Sequence, residues 1–151
     1  MAAPGLEGGR TVEALLQPAD IAPTLLDLAG VAADPPEPMH GRSFAPLLRN
    51  DGSEGHRDCV VTAKFTRLER GVLPAEQNMP AVYSERWCYV PVGSYGGRQL
   101  FDLSSDPQAE TNLINDHAEV ADDLHDALIE ELRKLDAPQE AVEVWAKRVR
   151  Q

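Results

Sequence analysis

Between residues 116 and 135, Val120, Leu124, Leu128, Leu132 and Leu135 recur at helical spacing and mark one apolar stripe along about five turns. Asp122, Asp123, Asp126, Glu130 and Glu131 fall on the other face and read as solvated, with His125 among them. Arg133 and Lys134 stand at the C-terminal end, where the helix dipole favours cations. Upstream, the period changes. Residues 59–65, 81–84, 87–92 and 98–103 are short runs of strand character, rich in β-branched and aromatic side chains, and 93–97 suits a hairpin turn. Strands followed by helices place the chain in the α+β class, with a small antiparallel sheet.

The segment 100–113 carries the densest local information. Leu100, Phe101 and Leu103 run into a polar turn that leaves through Leu113. Pro107 fixes its own φ and keeps Asp106 out of the helical region. Asp102, Asp106 and Asn112 are each able to accept from nearby backbone N–H groups. Nearer the N-terminus, 11–16 reads as a short strand. Asp20 reads as the N-cap of a helix ending near Ala29, with Ile21, Leu25 and Leu28 on one face and Gly30 at the left-handed terminating position. Ser43 suits the cap of a short helical turn through Leu48, and 50–57 is a polar loop. Asp116 with Glu119, and Asp136 with Gln139, have capping-box spacing. The second pair opens a last helix to about Arg150 with Val142, Trp145 and Val149 on one side.

Four of these segments, in order, resemble the sulfatases of the alkaline phosphatase superfamily. Residues 100–113 are similar to a pattern LYDL-x-x-DP-x-E-x-x-NL, with Phe101 in place of Tyr. Residues 20–31 resemble D-x-x-PTLLDLAG, and 41–48 resemble G-x-SL-x-PLL. Residues 86–90 resemble an R-x-x-KYI strand, with Cys88 where Lys is common. The resemblance implies the C-terminal region of an arylsulfatase-like protein. It implies a four-stranded antiparallel sheet packed on a C-terminal helix, preceded by remnants of a large α/β domain. On that reading 1–50 are terminal pieces of the large domain, 51–137 the sheet-and-helix subdomain, and 138–151 an extra C-terminal helix. It further implies a complete enzyme that hydrolyses sulfate esters with a formylglycine and a divalent cation, usually Ca²⁺. A phosphoesterase of the same superfamily is the enzymatic alternative, and a free-standing interaction module derived from a sulfatase is the non-enzymatic one.

The catalytic parts of such an enzyme are not in this sequence. Formylglycine forms in Cys/Ser-x-Pro/Ala-x-Arg, but Cys59 precedes Val-Val-Thr-Ala and Cys88 precedes Tyr-Val-Pro-Val, and no serine fits. Asp122-Asp123 point about 100° apart on a helix and make a poor cation cage. No residue is therefore assigned as catalytic or as a metal ligand, and no cofactor is expected in this chain. Three residues are candidates for a substrate cleft. Arg67 and Arg70 lie in the irregular stretch 66–80 and suit charge-assisted bonds to an anionic substrate. His40 borders a glycine in a loop.

A formal charge of −11 argues against a nucleic-acid or anionic-membrane surface, and no apolar run is long enough to span a bilayer. The two cysteines read as buried free thiols, which fits the cytoplasm unless a signal lies upstream. The expected partner is an N-terminal sulfatase domain, whose loss would leave an apolar patch on 11–48. The stripe of Val142, Trp145 and Val149 is suited to covering that patch, folding back, or forming a homo-oligomer.

Overall fold

A computed structural model describes residues 6, 8–9, 11–31, 39–49, 55–64, 67–68, 71–72, 79–92 and 97–148. The chain divides into two compact units, Met1–Val60 and Val61–Gln151.

In the first unit a 3₁₀ turn, Pro18–Asp20, leads into helix α1 (Ile21–Leu28), and helix α2 (Ala45–Arg49) follows a loop. Pro23 sits within the first turn of α1, where its missing N–H costs no hydrogen bond. Gly30 has φ +66, and it closes α1 as expected, with Val31 N–H donating to Leu26 O at 3.0 Å and Gly30 N–H to Asp27 O at 3.1 Å. Residues 11–16 form no strand and run as irregular chain, four of the six exposed. Their alternating apolar residues find no sheet partner among the described residues, and a lone strand leaves its backbone groups unpaired.

The second unit is an α+β arrangement. Strands β1 (Val60–Lys64), β4 (Met79–Tyr83), β5 (Trp87–Val90) and β6 (Gln99–Asp102) form a four-stranded sheet in the order β1-β4-β5-β6. Val82 pairs antiparallel with Tyr89, and Tyr89 with Leu100, so these three share one face. All three are fully buried. Helix α3 (Ala118–Lys134) packs on β4 and β5, and its Ala121, Leu124 and Leu128 are buried. Helix α4 (Gln139–Arg148) packs on α3. The stretch 66–80 is less irregular than its sequence suggests, because β2 (Arg67–Leu68) pairs antiparallel with β3 (Gly71–Val72) and β4 already starts at Met79.

The turn after β6 works through its side chains. Asp102 Oδ1 accepts from Ser104 N–H (3.1 Å), and Asp106 Oδ2 accepts from Glu110 and Thr111 N–H (both 2.8 Å). Asn112 Oδ1 accepts from Leu100 N–H (3.0 Å) and Ile114 N–H (3.1 Å), while Leu113 N–H donates to Leu100 O (2.8 Å). Residues 112–113 thus satisfy the outer edge of β6, where unpaired donors would cost about 1–3 kcal/mol each.

Two caps differ from expectation. Helix α3 starts after His117, without a side-chain cap, so Asp116 and Glu119 do not form the box. Asp136 does not open α4. It adopts φ 49 and terminates α3, with Ala137 N–H donating to Leu132 O at 3.0 Å and Asp136 N–H to Arg133 O at 3.1 Å. Aspartate tolerates that left-handed backbone better than most residues. None of the helices among the described residues is long and apolar enough to cross a membrane.

Candidate functional site

Asp20, expected to cap α1, makes no side-chain capping bond to that helix; its carboxylate instead closes the 3₁₀ turn before it and has no exposed surface. Arg57 grips it with two bonds, Nε to Oδ2 at 2.9 Å and Nη2 to Oδ1 at 2.5 Å. Gln17 N–H donates to Oδ2 (2.9 Å), Arg42 N–H to Oδ1 (2.8 Å), and His56 Nε2 lies 3.2 Å from Oδ2. The side chains of His56 and Arg57 are themselves only 8% and 4% exposed. Burial alone would raise the Asp20 pKa. The Arg57 guanidinium, with the Arg42 and Gln17 N–H groups, outweighs burial and holds the carboxyl well below the usual carboxylate range.

A second layer ties the same segments together. Thr24 Oγ1 donates to Asp20 O (2.6 Å) and accepts from Phe44 N–H (3.0 Å). Ser43 Oγ donates to Asp27 Oδ2 (2.7 Å) and accepts from Ala45 N–H (3.2 Å), which is the cap expected of it. Arg49 Nη2 reaches Asp27 Oδ1 at 3.0 Å. Ser43 and then Arg49 lower the Asp27 pKa. Gly41 makes this possible, since a Cβ there would lie 1.9 Å from Ala19 O. Both oxygens of Asp20 are engaged, so the cluster is a clamp holding 17–27, 41–49 and 56–57, with no spare lone pair aimed at a ligand.

Of the residues expected near a substrate, His40 is exposed on the loop held by this clamp. Arg67 lies on β2, and Arg70 lies outside the described residues. The structure therefore places Arg67 in a two-residue ribbon. Among the described residues, no three His, Cys, Asp or Glu side chains are grouped to hold a metal ion. Cys88 is buried on β5, and burial pushes its thiol pKa up despite a hydrogen bond with Tyr83. A thiol so placed, outside the formylglycine motif, does not fit the family's catalytic aldehyde.

The second polar cluster was also hidden in the sequence. His125 is not on a solvated face: it is 2% exposed, with Nδ1 3.1 Å from Tyr89 Oη. Arg98 Nε donates to the same phenol oxygen (3.0 Å), and Arg98 Nη2 donates to Asp122 Oδ1 (2.5 Å). Position 125 lies one residue from the Leu124 stripe, and a wide apolar face on α3 with α4 alongside covers it.

The clamp joins two segments that carry sulfatase-like patterns, and the other two, 86–90 and 100–113, contribute β5 and β6 of the sheet. A family profile described as N-sulphoglucosamine sulphohydrolase, C-terminal, matches residues 1–137. The chain belongs to this sulfatase family, as its C-terminal region. Arylsulfatase K of Mus musculus is 29% identical over 127 residues, which is 80% of this chain and 22% of that protein. The Delta 4,5-hexuronate-2-O-sulfatase of Bacteroides thetaiotaomicron is 33% identical over 103 residues, 68% of this chain and 20% of its own length. The chain thus spans about a fifth of the curated relatives it matches. A solved structure of a sulfatase candidate from Bacteroides thetaiotaomicron superposes with TM-score 0.71 at 28% identity, covering 93% of this chain and 32% of that one. The phosphonate monoester hydrolase of Agrobacterium radiobacter gives 0.66 at 28% identity, covering 83% and 26%. The sulfatase C-terminal region therefore shares its α+β fold with hydrolases acting on a different ester.

Proposed function

We propose that this chain completes a sulfate-ester hydrolase whose catalytic aldehyde and divalent cation reside in a preceding domain, onto which the first unit docks. The observation that carries this is the position of the exposed apolar side chains. Val12, Leu16, Ile21, Leu25, Val31 and Met39 are each 37–53% exposed, and all belong to the first unit. Ile21 and Leu25 stand one turn apart on α1, so their side chains share one strip of the helix surface. Apolar residues collected in one unit mark a covering partner more often than scattered ones do. The sulfatase relatives, of which the chain spans about a fifth, support a catalytic domain as that partner.

The test is a joined enzyme in which this chain follows a sulfatase catalytic domain. Leu16→Asp with Leu25→Asp is expected to leave the melting of the isolated chain within about 0.5 kcal/mol, because both sites are already wet. In the joined enzyme the same pair is expected to lower soluble yield and activity at least tenfold. Unchanged activity and yield there would remove the docking face from this reading.

Within that enzyme, Arg67, Arg70 and His40 remain the residues proposed to border the substrate cleft. Arg70→Ala is expected to raise KM for an anionic ester about tenfold with little change in kcat, the loss of one charge-assisted bond made in ground and transition states alike. An unaltered KM across several sulfate esters would take Arg70 out of the cleft.

A further inference from the structure

The second unit contains a buried titratable group that the proposed docking and cleft do not use. His125 belongs to a directional chain that runs from Asp122 through Arg98 and Tyr89 to its own Nδ1. A guanidinium only donates, so the Tyr89 oxygen accepts from Arg98, which leaves the phenol hydrogen available to His125 Nδ1. In that arrangement the imidazole is neutral, with its proton on Nε2. The Tyr89 and His125 rings meet edge to face, with centroids 5.9 Å apart. Nε2 is buried without a well-formed hydrogen bond among the described residues. The Trp145 main chain on α4 faces the ring, and Trp145 itself is 3% exposed.

A proton arriving at Nδ1 would meet the phenol hydrogen head-on. Tyr89 would have to turn its hydrogen away and accept from Arg98 and His125 together. Two cations would then share one phenol oxygen beneath a helix. We propose that α4 is an acid-released cover over His125, seated while the imidazole is neutral and loosened when it takes a proton.

The groups around the ring balance in that direction. Asp126, the Trp145 main chain and Asp122 favour a proton on the ring, but burial, followed by Arg98, opposes it more strongly. Farther along the α3–α4 groove stand Asp123, Glu130 and Arg133. The closed form thus takes a proton less readily than an open form in which the ring meets water at its ordinary 6.5. Closure is fully favourable above that ordinary value, and it weakens as pH falls through 6.5 towards the depressed closed-state value. The residues matched by the family profile end at 137, before α4 begins.

Amide exchange of α4 in the whole chain reads this directly, with rates corrected for the intrinsic effect of pH. Protection of residues 139–148 is expected to drop up to about tenfold between pH 7.5 and 5.5, one pH unit below the free imidazole value. His125→Gln and His125→Phe are each expected to abolish the drop. Equal protection at the two pH values in the unaltered chain would overturn the proposal, as would a drop that persists in a folded His125 variant. Should neither variant fold, the His125 ring signals followed by NMR supply the second reading. Loosening of α4 must share its midpoint with the His125 titration, and a different midpoint overturns the proposal as well.

Discussion

Replacing Arg57 by Ala is expected to destabilise the first unit by about 3–5 kcal/mol, the usual result of stranding one member of a buried ion pair. The cause is the carboxylate left behind. Asp20 has no exposed surface, and Arg57 makes two charge-assisted bonds to it at 2.5 and 2.9 Å. With Arg57 gone, the Arg42 and Gln17 N–H groups and the His56 ring remain beside it, but the negative charge keeps its burial cost without the guanidinium. Both tryptophans, Trp87 and Trp145, belong to the second unit, so fluorescence is the wrong probe. Amide exchange over 20–29 is the right one, and protection there should fall by at least a hundredfold. Exchange at the unaltered rate would mean that the clamp contributes nothing. The pH dependence carries its own sign. The Asp20 pKa is lower folded than its ordinary 3.8, so the unfolded chain binds more protons below that value. The stability it contributes is fully present above 3.8 and is lost as pH falls through the folded value. The unaltered chain and the Arg57 variant should therefore converge in strong acid and differ most near neutrality.

Much of the second unit was legible because its signals are local. The strands over 81–84, 87–92 and 98–103 follow from β-branched and aromatic runs between turns, and β4, β5 and β6 lie within two residues of them. Asp102, Asp106 and Asn112 bond the backbone as their short side chains dictate. What stayed hidden depends on partners distant in sequence. Asp20 has the right type and place for an N-cap, yet its carboxylate is claimed by Arg57, 37 residues away. No single-segment argument weighs a one-bond cap against a bidentate buried pair. The same holds for His125. Periodicity puts it beside acidic neighbours, and only the approach of Tyr89 and the packing of α4 on α3 bury it. The family patterns themselves become physical here. In 20–31 and 41–48 the repeated residues Asp20, Thr24 and Asp27 are the acceptors for Arg42, Phe44 and Ser43, so the two patterns are halves of one interlock.

Gly41→Ala is expected to break that interlock from the other side. A Cβ at 41 would stand 1.9 Å from Ala19 O, 2.4 Å from Ala19 C and 3.0 Å from Asp20 N. All three are backbone atoms of the turn that enters α1, so no side-chain rotation relieves the clash, and the loop itself has to retreat. Retreat draws the Arg42 N–H away from Asp20 Oδ1 and the Phe44 N–H away from Thr24 Oγ1, bonds of 2.8 and 3.0 Å. Overpacking together with weakened buried bonds gives an expected loss of about 3 kcal/mol. Gly30→Ala is the informative contrast. Gly30 holds φ +66, but nothing lies within 4 Å of its added Cβ, so that variant meets only backbone strain of about 1–2 kcal/mol. If denaturant unfolding of the first unit, followed by amide exchange, ranked Gly30→Ala as the more damaging, conformational freedom rather than close approach would govern this unit. The order predicted here is the reverse, because Gly41 is small to let one chain segment touch another, and the clamp on Asp20 closes only across that contact.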